Sequence, residues 1–182
     1  MSTVTVSCRG KPNDMSMVEW LLQYEVYAEN SPLEITGVFG FFKERSPLYG
    51  GRGFRGAEIT EQDLRFLKDN DLKLKIPLTA NKATEQEYEA SRTLLNKNYY
   101  PGNTIAVVND ELARWIRRDY PLYTLEASVI KNVKWGDIEE TLETYDTLVL
   151  TMDKNDDLDK LKEIKEKDRI ILFGNAGCAY NC

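Results

Sequence analysis

Short runs of β-branched and aliphatic residues alternate along this chain with longer stretches in which apolar positions return every three or four residues. The short runs are Thr3–Ser7, Leu33–Phe39, Leu72–Leu78, Thr104–Val108, Tyr123–Ile130, Thr147–Thr151 and Arg169–Phe173. Each has the length of a strand, and most of the gaps between them can hold a crossover helix. Met15–Ala28 sets Val18, Leu21, Leu22 and Val26 at helical spacing, Glu111–Asp119 carries Leu112 and Ile116, and Asp157–Lys167 aligns Leu158, Leu161 and Ile164. Thr60-Glu61-Gln62-Asp63 and Thr84-Glu85-Gln86-Glu87 read as helix starts, in which a threonine caps the first turn and an acidic residue three positions on returns the bond.

Strands that alternate with helices build parallel sheets through right-handed crossovers, and seven in succession curl toward a barrel. The pattern therefore predicts an α/β fold: an incomplete (βα) TIM-type barrel with about seven parallel strands, forming one domain over residues 1–182. A closed barrel of this type has eight strands and about 250 residues. Because the chain stops on Cys182 soon after the seventh run, the expectation is a copy truncated after strand seven. An open edge would then be available for self-association.

Composition narrows the function classes. The 30 acidic and 24 basic side chains are interspersed and leave a net charge of −6, which argues against a general nucleic-acid footprint. No stretch reaches the roughly 20 apolar residues of a membrane span, and Met1-Ser2-Thr3-Val4 does not open a secretory signal. A cytoplasmic protein without membrane association is expected. Histidine is absent altogether, which excludes Ser-His-Asp and Cys-His catalysis and zinc sites of the histidine type.

The candidate chemistry gathers where strands end. Cys8 closes the first run, while Cys178 and Cys182 follow the last. The Cys178-x-x-x-Cys182 spacing can bring two sulfurs to one metal, with Gly174–Gly177 allowing the backbone to turn around it. As metal ligands, Cys8, Cys178 and Cys182 would suit zinc or an iron-sulfur cluster, because thiolates are soft donors. A full thiolate site would show four cysteines in two pairs, and Cys8 reads equally well as a small buried apolar residue. After the second strand, four glycines surround Arg52 and Arg55. Such a loop can bring the backbone and two guanidiniums close to a small anionic molecule, or its arginines can simply face water. It is neither a Walker nor a dinucleotide fingerprint. Asn81 and Lys131 complete the predicted substrate-binding set. Lys131 also reads as a solvated charge, and Asn109 and Asn155 or Asp156 as helix N-caps.

Five stretches carry a resemblance: Pro32–Gly40, Tyr49-Gly50-Gly51-Arg52, Val108-Asn109-Asp110 with Tyr120-Pro121, Ala127–Lys131, and Asn175-Ala176-Gly177-Cys178-Ala179-Tyr180-Asn181-Cys182. From about residue 32 onward the chain resembles bacterial and phage-type barrel proteins that are distantly similar to the collagenase-like peptidase family, and the cysteine-bearing ending is the most specific part. In full-length relatives a proline and a further segment follow that ending, which implies truncation here. The better-understood members resemble iron-sulfur proteins more than proteases and support hydroxylation of RNA bases or quinone precursors. The resemblance thus implies Cys178 and Cys182 as cluster ligands. Two functions are expected: a thiolate-ligated metal or iron-sulfur enzyme acting on an anionic substrate, or a non-catalytic metabolite- or protein-binding module on a degenerate barrel.

Overall fold

The computed structural model describes residues 2–8, 11–12, 14–28, 32–42, 46–50 and 58–174. Along them run β1 (Ser2–Ser7), α1 (Met17–Ala28), β2 (Leu33–Phe39), β3 (Phe41–Phe42), β4 (Glu58–Ile59), α2 (Glu61–Asp69), β5 (Lys73–Leu78), α3 (Glu85–Ala90) and α4 (Arg92–Lys97). They continue with β6 (Thr104–Val107), α5 (Asp110–Asp119), β7 (Thr124–Ala127), α6 (Ile138–Thr144), β8 (Thr147–Leu150), α7 (Leu158–Glu163) and β9 (Ile170–Leu172). Seven strands form one sheet in the order β1-β2-β5-β6-β7-β8-β9, and every neighbouring pair is parallel. The sheet curls into a half-barrel, as the strand count predicts. No helix among the described residues is long and apolar enough to cross a membrane.

Side chains alternate across the sheet because successive residues of a strand point to opposite faces. Leu74, Ile76, Leu78, Ile105, Val107, Leu125, Leu148 and Leu150 are almost wholly buried and form the core with Leu112 and Ile116 of α5 and Leu142 of α6. The alternate positions on the concave side carry a different set, including Lys75, Thr104, Thr124, Glu126 and Thr147. The helix-covered face is aliphatic throughout, whereas the concave face mixes these polar groups with Ala106, Val149 and Ile171.

Two helix starts share one carboxylate. The Thr60 hydroxyl accepts from the Asp63 amide at 3.1 Å, and Asp63 Oδ2 accepts from the Thr60 amide at 2.9 Å. This closes the predicted box at the start of α2, and Thr84 with Glu87 repeats it on α3. Asp63 Oδ1 also accepts from the Met17 amide at 3.0 Å, 46 positions earlier, and so caps α1 as well. The buried Lys11 approaches the same carboxylate at 3.9 Å while donating to the Met15 carbonyl at 2.6 Å.

Elsewhere the elements are shorter than their patterns. The Tyr123–Ile130 run yields only Thr124–Ala127, because Ser128 leads into a tight turn over Val129–Lys131 that ends on Asn132 in the left-handed region, φ 49°. The helix expected to reach Lys167 stops at Glu163, where Ile164 takes up extended backbone. Asp157, not Asn155 or Asp156, caps that helix, its Oδ1 accepting from the Lys160 amide at 3.3 Å. Asn109 caps α5 as expected.

Asp63→Ala would unpair two amides and leave the Lys11 ammonium buried beside no counter-charge. The expected loss is about 3 kcal/mol, the scale for removing one member of a buried charged pair, read from urea unfolding. A change no larger than that of an exposed-site variant would show that the carboxylate does not hold α1 and α2 together.

Candidate functional site

All seven parallel strands deliver their carboxyl ends to one rim, the place where barrels of this type carry their variable loops. At the end of β5, the Ala80 amide donates to the Leu48 carbonyl at 3.0 Å and the Thr79 hydroxyl to the Tyr49 carbonyl at 3.4 Å. These bonds pin residues 46–50 to the rim. Gly50 ends that segment at φ +79°, and a Cβ there would lie 2.9 Å from the Thr79 carbonyl oxygen. Both the left-handed backbone and the close approach require glycine. The loop bearing Arg52 and Arg55 therefore departs from beside Thr79. Those two arginines lie outside the described residues.

Asn81, two positions beyond Thr79, is exposed, and its carbonyl accepts from Asn109 Nδ2 at 3.1 Å. Asn109 Oδ1 meanwhile accepts from the Leu112 amide at 2.8 Å. Lys131 reaches the same loop from the end of β7, donating to the Val108 carbonyl at 3.2 Å and to Asp110 Oδ1 at 2.7 Å. Its ammonium also lies 5.5 Å from the centre of the Tyr145 ring. Lys131 is therefore not a solvated charge: a carboxylate, a carbonyl and an aromatic face surround it.

The buried Tyr145 donates its hydroxyl to the same Asp110 Oδ1 at 2.7 Å. Burial acts to raise the Asp110 pKa, but the hydrogen bonds from Lys131 and Tyr145 and the charges of Lys131 and Arg114 outweigh it. They hold the carboxyl below its ordinary 3.8. Asp110 Oδ1 is fully engaged, while the residue's half-exposed carboxylate leaves Oδ2 for solvent or a ligand. The structure thus brings Asn81 and Lys131 together on the Val108–Asp110 turn and adds Asp110 and Tyr145 to them. Tyr145 escapes sequence reasoning because it precedes β8 and meets Asp110 across 35 positions.

Cys8 closes β1 on this rim, but it points into the core and is 1% exposed. Its sulfur would lie 2.5 Å from a Cβ built on Gly40. Burial pushes the thiol up to about 11, against the opposing pull of the Phe41 amide and the Lys11 charge. The sulfur is enclosed against Gly40 and faces the core. No group of three His, Cys, Asp or Glu among the described residues could hold a metal ion. Cys178 and Cys182 lie outside the described residues. The chain leading to them leaves β9 at the rim, where the Phe173 carbonyl accepts from Asn155 Nδ2 at 3.1 Å. That bond, not a helix cap, is what Asn155 supplies.

No protein-family model matches the chain, and no curated protein matches it. Among solved structures, the U32 peptidase Mk0906 is similar, with a TM-score of 0.62 and 13% sequence identity over 94% of this chain and 67% of that one. At that identity the likeness is one of fold. It supports the distant resemblance to collagenase-like peptidases and carries no residue roles.

Because the folded Asp110 carboxyl lies below its unfolded value, its stabilising contribution is present above about pH 4 and is lost as pH falls through the lowered folded value. Thermal melts of the wild type and Asp110→Asn should therefore converge on acidification below about pH 4. A gap that stays constant down to pH 2 would mean that Lys131 and Tyr145 do not hold the ionised form.

Proposed function

We propose that the chain works at the carboxyl-end rim of its half-barrel by binding a small anionic molecule. Arg52 and Arg55 grip the anion, and Asn81 and Lys131 line its edge. One observation carries this reading: Gly50, two positions before Arg52, is locked against Thr79, two positions before Asn81. Asn81 in turn shares the Val108–Asp110 turn with Lys131. Asp110 already neutralises Lys131, so the guanidiniums supply the attraction and bidentate fit. The free Asp110 oxygen offers an acceptor to a hydroxyl on the same ligand.

Arg52→Lys should weaken binding of phosphorylated or carboxylated metabolites by about 1–3 kcal/mol, the range for a charged hydrogen bond, and leave the melting temperature nearly unchanged. Gly50→Ala should weaken the same binding without altering any liganding side chain. It should also cost about 1–2 kcal/mol of stability for the left-handed backbone. Calorimetric titration of a metabolite panel decides: equal binding by wild type and Arg52→Lys, or binding by neither, removes the loop from the function.

A second reading, a zinc or iron-sulfur centre on Cys178 and Cys182, is favoured by the Asn155 bond that holds Phe173 on the rim. Cys178 follows Phe173 by five residues, a reach of at most about 18 Å. On this reading Cys8 takes no part. Protein purified without oxygen should carry iron or zinc that Cys178→Ser and Cys182→Ser lose and Cys8→Ser keeps. Metal-free wild-type protein would exclude the centre, and equal loss in Cys8→Ser would make Cys8 a ligand.

A further inference from the structure

We propose that the concave face of the half-barrel is a separate binding site, for a neutral polyhydroxylated molecule of about monosaccharide size. This face holds a recess of about 200 Å³ whose lining includes Thr5, Thr104, Thr124, Thr147, Lys75 and Glu126. Barrels of this class ordinarily fill their interior with layers of branched aliphatic side chains. Here the recess is lined by hydroxyls and an ion pair beside Leu74 and Ile171, and a polar group that is enclosed is costly unless something bonds to it.

Two oxygens there make no hydrogen bond among the described residues, and one of them, Thr147 Oγ1, is enclosed. Glu126, buried to 3% exposure, accepts from Lys75 through Oε2. Its other oxygen makes no hydrogen bond. Thr147 Oγ1 is buried and has no partner. Glu126 and Thr147 are register partners on adjacent parallel strands, so their side chains lie on one face of the sheet. Two polar side chains on neighbouring strands match a ligand that offers more than one hydroxyl.

Charge narrows the ligand further. Lys73 is paired with Asp71 and Lys75 with Glu126, so among these residues no uncompensated carboxylate draws a cation and no uncompensated ammonium draws an anion. A neutral polyol satisfies both conditions. The site is distinct from the rim, because Thr104, Thr124 and Thr147 are the first residues of β6, β7 and β8, at the far end of those strands. Burial raises the Glu126 pKa against the charge and hydrogen bond of Lys75, and a hydroxyl donated by a ligand would bring it back down.

The test titrates the full chain with ribose and with glucose, read by saturation-transfer NMR, and follows the Glu126 carboxyl by carbon-13 shifts. At least one sugar should bind saturably and lower the Glu126 pKa. Its affinity should fall at least tenfold in Thr147→Val and in Glu126→Gln, and remain unchanged in Arg52→Lys. Thr147→Val is the secure variant: it removes a hydroxyl that no protein group uses, so the fold should hold or gain stability. No saturable binding of either sugar, or undiminished binding by Thr147→Val, would overturn the proposal.

Discussion

The structure depends on one constraint: the order of strands across the sheet is their order along the chain, and all run the same way. A parallel neighbour can be reached only by a crossover, and crossovers of one hand place their helices on one side. The sheet is therefore aliphatic where helices cover it and free to be polar where they do not. The same constraint sends every strand-end loop to a single rim. Asn81, Asn109 and Lys131, scattered over about fifty positions, become neighbours there without any loop having to travel far.

Carboxylates serve three purposes in this frame, and their surroundings set which. Asp63, enclosed and fed by two amides and a nearby ammonium, joins the starts of two helices. Asp110, half exposed at the start of α5, is kept ionised by Lys131 and Tyr145. Glu126 is paired with Lys75 but buried so deeply that desolvation outweighs its partner. Asp110 and Glu126 have the same kind of lysine neighbour, yet their affinities for a proton move in opposite directions. The difference lies in solvent access and in the number of hydrogen bonds received, not in net charge.

Much of the fold was legible because periodicity reports burial. The seven sheet strands, the two threonine boxes and the Asn109 cap all follow from local pattern. The two-residue strands β3 and β4 were not legible, since pairing so short leaves no alternation to read. Helix α6 shows only Ile138 and Leu142 on its buried side, too few to mark a period. The site was half legible. Asn81 and Lys131 stood at strand ends, but the partners of Lys131 lie across 21 and 23 positions, and no local pattern announces them. Cys8 was ambiguous for another reason: strand ends predict which rim a residue reaches, not whether it turns outward or into the core. Lys75 and Glu126 left a usable trace, a charge at alternate positions inside an otherwise apolar strand.

The anchoring of Gly50 against the Thr79 carbonyl separates the attachment of a loop from its contents. Main-chain geometry fixes Gly50 on the rim through its left-handed backbone and its close approach to Thr79, with no side chain of its own involved. Such a joint works as a socket. Because the joint is made of main chain, it survives exchange of the exposed side chains around it and fails only when Gly50 acquires a Cβ.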